Sequence, residues 1–167
     1  MDVSPFAPLY NAFSFYWFRV ETAKQIQAAR SLLQAYPNEL SAQLESAVAD
    51  VLDKRPELAW PVFRSIHGRN VNSAIVEAWT RAMAGDREEA LRLIRPYEEK
   101  YPNVDVALQG LALTYGWLND EPGALKWLER SADAREWQVL NVAVNPAFRK
   151  MEDTPGFHRL KKRMRLE

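Results

Sequence analysis

The sequence predicts an all-α protein built from repeated helix pairs, and three observations carry that expectation. Apolar residues recur at i, i+3 and i+4, and no useful stretch alternates with the period of two that a half-buried strand requires. Prolines fall mostly where helices would begin or end. Two near-identical stops, "YPNEL" at 36–40 and "YPNVD" at 101–105, lie 65 residues apart. In each, Tyr closes a helix, Pro cannot continue it, and Asn suits the cap of the next. The third observation is self-similarity. "GDREEALRLIRPYEEKYP" from Gly85 aligns with "NDEPGALKWLERSADARE" from Asn119, pairing Asp86 with Asp120, Ala90 with Ala124, Leu91 with Leu125 and Ile94 with Leu128, 34 residues apart.

Taken in order, the elements follow from residue type. The first pair, about 7–37, places Leu9, Phe13 and Tyr16 on a first helix and Ala29 and Leu32 on a second. Thr22 with Gln25 reads as a capping box between them. The second pair, about 39–70, reads "ELSAQLESAVADVLDK" then "PELAWPVFRSIHG". Pro56 suits a first helical turn, Pro61 falls one turn later where it distorts the helix, and Ala59 and Phe63 face inward. This pair runs three residues short. The third, about 72–102, keeps Ala78, Gly85, Ala90, Ile94 and Pro102. The fourth, about 105–136, has Leu108, Leu111, Ala112 and Tyr115 on its first helix and Ala124 and Leu128 on its second. Small residues such as Ala112 and Ala124 let two helices approach, and Leu111, Tyr115 and Leu128 fill the space around the contact. From 137 to 167 the pattern changes. "NPAF" from Asn145 and "TPGF" from Thr154 each set a cap residue before Pro, a helix start. Phe157, Leu160 and Met164 then form one apolar stripe.

A 34-residue period with two helices per unit resembles the tetratricopeptide repeat, most closely in the fourth pair. The resemblance runs from Leu9 to Glu136. It implies one domain over 1–167: a right-handed α-solenoid of about four antiparallel helix pairs with a C-terminal capping segment. The ending is similar to that of repeat regions in bacterial signalling and regulatory proteins. One pair cannot bury its apolar face alone, so units stack and the last needs a polar-faced cap. Four positions depart from the family pattern: Phe13 and Gln25 stand where small residues are preferred, Glu77 where a large apolar residue is, and Arg81 where Tyr is.

Composition narrows the function. Apolar residues make up 47% and charged residues 26%, values of a folded chain and not a disordered one. Lys plus Arg and Asp plus Glu both number 22, so no whole-molecule field steers the chain toward nucleic acid or an anionic membrane. Without Cys, disulfides, thiol catalysis and Cys-based zinc sites are excluded. The dense run "NAFSFYWFRV" is far shorter than the roughly 20 apolar residues of a spanning helix, and no Lys or Arg precedes Arg19 as a secretory signal would require. The expectation is a cytoplasmic protein that meets neither membrane nor nucleic acid. No phosphate-binding loop, dinucleotide fingerprint, zinc-helix motif or nucleophile elbow occurs. Neither a cofactor, a metal nor a catalytic residue is assigned, and the chain is not read as an enzyme. His67 reads as a helix-end residue and His158 as surface. The basic final helix, with Arg159, Lys161, Lys162, Arg163 and Arg165, reads as the polar face of a cap whose cations favour the helix dipole.

The aromatics suggest the role. In the resembled family, first helices line a concave face that binds peptides. Transferred by alignment, that face takes Trp79, Ala82 and Met83 from the third unit and Gln109, Leu113, Gly116 and Trp117 from the fourth. The first unit adds Tyr10, Trp17 and Phe18, and the second Leu44 and Val48. Trp is enriched at hot spots because it buries a large area and keeps one polar handle. The competing expectation is that Trp79 and Trp117 are ordinary core. The family's carboxylate clamp of Lys, Asn and Arg is missing, since Ile75, Trp79, Gln109 and Leu113 occupy its places. The resemblance therefore implies a non-enzymatic scaffold with an aromatic groove, binding a protein or peptide partner or forming a homodimer through the N-terminal aromatic helix. Its partner-binding residues are Trp17, Phe18, Trp79, Met83, Gln109, Leu113 and Trp117. Two alternatives stay open: the sensory or oligomerising part of a larger bacterial regulator, and a small-molecule-binding helical domain.

Overall fold

The computed structural model describes residues 6–66, 71–100, 105–135, 139–140 and 143–166; for 6, 7, 13, 15, 16, 18, 71, 72, 100 and 105–108 it describes the backbone alone. Among the described residues helix accounts for 82% and no strand occurs, so the all-α expectation holds. The order is α1 (Phe6–Arg19), α2 (Thr22–Ala35), α3 (Leu40–Leu52), α4 (Pro56–Ile66), α5 (Val71–Ala84), α6 (Arg87–Lys100), α7 (Asp105–Trp117), α8 (Glu121–Asp133), a 3-10 helix (Pro146–Met151) and α9 (Pro155–Arg163). The chain divides into two compact units, Met1–Ser73 and Ala74–Glu167.

The turns inside the helix pairs repeat in backbone geometry. Val20, Lys54, Gly85 and Asn119 all take positive φ, 59°, 62°, 87° and 55°, at spacings of 34, 31 and 34 residues. The short interval belongs to the pair that the sequence reads as three residues short. At Gly85 the geometry is the left-handed helix stop: Asp86 N–H donates to Arg81 O at 2.9 Å and Gly85 N–H to Ala82 O at 3.0 Å. The same pair of bonds closes α7 at Asn119 and Asp120, with acceptors Gly116 and Tyr115. Only one of the four positions is Gly, so the repeated turn is carried by three residues that pay a steric cost for it; Val20, β-branched, is the most strained.

In the first unit, Ala29 and Leu32 of α2, Ala42, Ala47 and Val48 of α3, and Ala59, Phe63 and Ile66 of α4 are fully buried. Small residues on facing helices let α2, α3 and α4 pack closely. The capping box expected at Thr22 does not form. Thr22 opens α2 as its first residue, Glu21 is the cap position without a side-chain cap bond, and Gln25 is buried at 2% exposure. The helix start is set by Val20 turning the chain, which moves the boundary one residue earlier. Pro61 stands inside α4 as expected, and Pro96 inside α6. Both are exposed.

In the second unit, one apolar cluster joins Ala78, Leu93, Ile94, Leu111, Ala112, Ala124, Trp127 and Leu128 to Phe148, Met151, Phe157 and Leu160. The C-terminal segment is thus part of this core. Both of its helix starts are capped as read. Ala147 N–H donates to Asn145 Oδ1 at 3.0 Å, and Phe157 N–H to Thr154 Oγ1 at 3.4 Å. Phe148 and Phe157 then meet with ring centroids 5.6 Å apart.

Helices α5 and α7 touch at a glycine. A Cβ on Gly110 would stand 1.9 Å from Ile75 Cγ2. Gly110→Ala is expected to lower the stability of the second unit by about 2 kcal/mol through overpacking, and Ile75→Ala in the same chain to recover part of it. Equal thermal midpoints for wild type and Gly110→Ala would contradict this contact.

Candidate partner-binding face

The Gly110–Ile75 contact organises the face on which most of the expected binding residues lie. From Ile75, Trp79 and Met83 follow at i+4 and i+8 along one ridge of α5. Gln109, Leu113 and Trp117 form the corresponding ridge of α7. Trp79, Met83, Gln109 and Trp117 are half-buried. Trp79 and Trp117 pack against the apolar cluster and each stays partly exposed, although the Trp117 Nε1 itself is buried. Leu113 is 9% exposed, and offers a partner little area. Gly116 is covered by the chain itself. A Cβ there would lie 2.7 Å from Phe148 Cε1 and 3.0 Å from Ala147 O, so the 3-10 helix lies against α7 at this point. The sequence pattern could not show this, because the segment that returns lies about thirty residues downstream.

Trp17 is placed differently from the expectation. It lies in the first unit and is 8% exposed, which makes it a core side chain and not an open self-association surface. The side chain of Phe18 lies outside the described residues. Trp17→Ala is expected to remove about 3 kcal/mol and to lower the melting temperature of the first unit. A variant that stays as stable as wild type but changes oligomeric state in light scattering would return Trp17 to the surface. Of the other residues transferred to the concave face, Tyr10 is exposed, while Leu44, Val48 and Ala82 are buried.

Two polar features were not anticipated. The departures at Glu77 and Arg81 form a largely buried ion pair that extends to the more exposed Asp86 as a charge triad. Arg81 Nε donates to Glu77 Oε1 at 2.9 Å and Nη1 to Asp86 Oδ2 at 2.8 Å, with Glu77 only 5% exposed. Because Asp86 Oδ1 also accepts from Glu89 N–H at 3.4 Å, the triad ties the end of α5 to the start of α6. An i,i+4 Glu–Arg spacing is the signal that could have found it. In the first unit, burial pushes the Glu45 carboxyl of α3 up to about 8, and Glu45 in turn helps raise the Tyr10 phenol above its usual value, after burial of that ring. Nothing in the one-dimensional pattern separates Glu45 from surface glutamates.

A shallow depression of about 490 Å³ is lined by Asp86, Glu88, Glu89, Leu91, Arg92 and Arg95. Its Arg92 is engaged: Nε and Nη2 donate to the Glu89 carboxylate at 2.5 and 2.6 Å, which holds that carboxyl below the usual range. Lys126 and Arg130 sit 4.5 and 5.1 Å from the Trp127 ring centre. Trp127 is fully buried, so these cations cover core and do not frame an open aromatic cage. Among the described residues no three His, Asp or Glu side chains group as metal ligands, and no helix is long and apolar enough to cross a membrane. In comparisons with protein-family models, curated proteins and solved structures, nothing matches this chain.

Proposed function

We propose that the chain is a non-enzymatic scaffold of tetratricopeptide-like helix pairs that binds a peptide segment of a protein partner. One observation supports this reading above the rest. Two tryptophans on neighbouring helices, Trp79 and Trp117, pack against the core and stay partly exposed, with Met83 and Gln109 beside them. A side chain so held loses little rotamer freedom when a partner covers it, and Trp carries more binding energy per residue than most types. Gln109 offers a donor and an acceptor to a peptide backbone. The occupant that suits this chemistry is a short segment with one or two apolar anchors, seated in the helix-in-groove or extended manner.

The test is selection of a displayed random-peptide library on the purified protein. Enriched peptides should share apolar anchors and bind Trp79→Ala and Trp117→Ala about tenfold or more weakly, while both variants keep the wild-type helical circular dichroism. Enriched peptides that bind the variants as tightly as wild type, or no enrichment at all, would overturn the reading.

A further inference from the structure

The outer side of the C-terminal segment carries charge of one sign. Between Asn145 and Leu166 the chain holds seven Lys and Arg against Glu152 and Asp153, although the whole chain is balanced. Helix α9 contains no acidic residue. It turns Gly156, Phe157 and Leu160 into the core, so the 100° step between residues carries His158, Arg159 and Lys162 away from it, and Arg165 follows just beyond the C-cap Met164. All four are exposed, as are Arg149 and Lys150 on the 3-10 helix before it. Two of the segment's other cations are engaged: Arg163 pairs with Asp133, and Lys161 Nζ donates to Glu152 O at 3.2 Å. Arg149, Lys150, Arg159, Lys162 and Arg165 form no ion pair among the described residues.

A helix dipole accounts for cations in the last turn only. Arg159 lies at the middle of α9, before its last turn, and Arg149 and Lys150 lie outside the helix. Solubility is served by interspersed signs and does not call for a single-sign face. We propose that this face, Arg149, Lys150, Arg159, Lys162 and Arg165, is a docking surface for an acidic segment of a protein partner, separate from the aromatic face. Charge complementarity selects an anionic occupant. The apolar side chains of α9 are turned inward, which leaves nothing to insert into a bilayer. No exposed Phe, Tyr or Trp ring stands on this segment for bases to stack on. Arg159 and Lys162, three residues apart on α9, lie about 5–6 Å from each other at Cβ, the spacing of carboxylates three or four residues apart on a helix.

Fluorescence anisotropy with a labelled oligoglutamate peptide tests the proposal on the full chain. Binding is expected in low salt, about tenfold weaker as salt rises from about 0.05 to about 0.3 M because screening shortens. Arg159→Glu/Lys162→Glu/Arg165→Glu should abolish it, and Arg64→Glu/Arg95→Glu, of exposed cations elsewhere, should leave it within about twofold. If the triple reversal does not fold, Arg159→Gln/Lys162→Gln/Arg165→Gln takes its place and should weaken binding about tenfold. Oligoglutamate that does not bind, or binds the triple variant as wild type, overturns the proposal. So does tighter binding to a DNA duplex or to phosphatidylserine vesicles at equal charge concentration, which would assign the face to phosphates.

Discussion

Arg81→Ala is expected to destabilise the second unit by about 4 kcal/mol, the largest loss expected from any single polar substitution in this protein. The guanidinium is the centre of the triad, donating to Glu77 and to Asp86. Its side chain is 13% exposed and that of Glu77 7%. Removing the cation leaves the Glu77 carboxylate buried beside an empty site, without the partner that offset its desolvation. It also releases Asp86, which stands at the α5–α6 turn. The double change Glu77→Leu/Arg81→Tyr places at both positions the residue types of the repeat pattern and removes both buried charges together. It is expected to be neutral or stabilising, because a buried ion pair seldom outweighs well-packed apolar residues of similar volume. Urea titrations of wild type, single variant and double variant decide the matter. A single variant within about 1 kcal/mol of wild type would show that the triad behaves as a surface pair.

Glu45→Gln is expected to stabilise the first unit at neutral and alkaline pH and to flatten its pH dependence. The Glu45 carboxyl moves from the ordinary 4.5 up to about 8 on folding because burial disfavours the anion. The folded state therefore holds a proton that the unfolded chain releases. Stability from this group is fully present below pH 4.5 and is lost as pH rises toward and through 8. At about 1.36 kcal/mol per pH unit, the loss between pH 4 and pH 8 is on the order of 4 kcal/mol. Asp50, raised by burial before any opposing charge acts, changes stability in the same direction. Glutamine keeps the shape of the protonated acid and cannot ionise. Thermal melts from pH 4 to pH 9 should show wild type falling with pH and Glu45→Gln nearly level. Two parallel curves would sink the assignment and place Glu45 in contact with water.

The aromatic residues show where sequence reading stops. The resemblance to the repeat family put Trp17 and Trp79 on the same face of first helices, yet Trp17 is buried and Trp79 is half-buried. A helical period tells which residues share a side of a helix. It does not tell which other element covers that side. Gly116 makes the same point, because Phe148 reaches it from a segment whose own sequence says only that a helix starts there. Glu77 and Arg81 looked like flaws in a repeat; as a pair they satisfy each other and hold a turn.

The sequence by itself determined that this protein is helical and that the C-terminal segment opens two capped helices, at Asn145 and Thr154. Each of these follows from interactions between residues a few positions apart, which a string of residue types displays directly. The tertiary structure alone decided the division into two units, the repeated left-handed turn at Val20, Lys54, Gly85 and Asn119, the burial of Trp17, and the surroundings that raise the Glu45 carboxyl. Those depend on what distant segments bring against a side chain. Solvent exclusion acts through space, and so do the desolvation of a charge and the closing of one helix upon another.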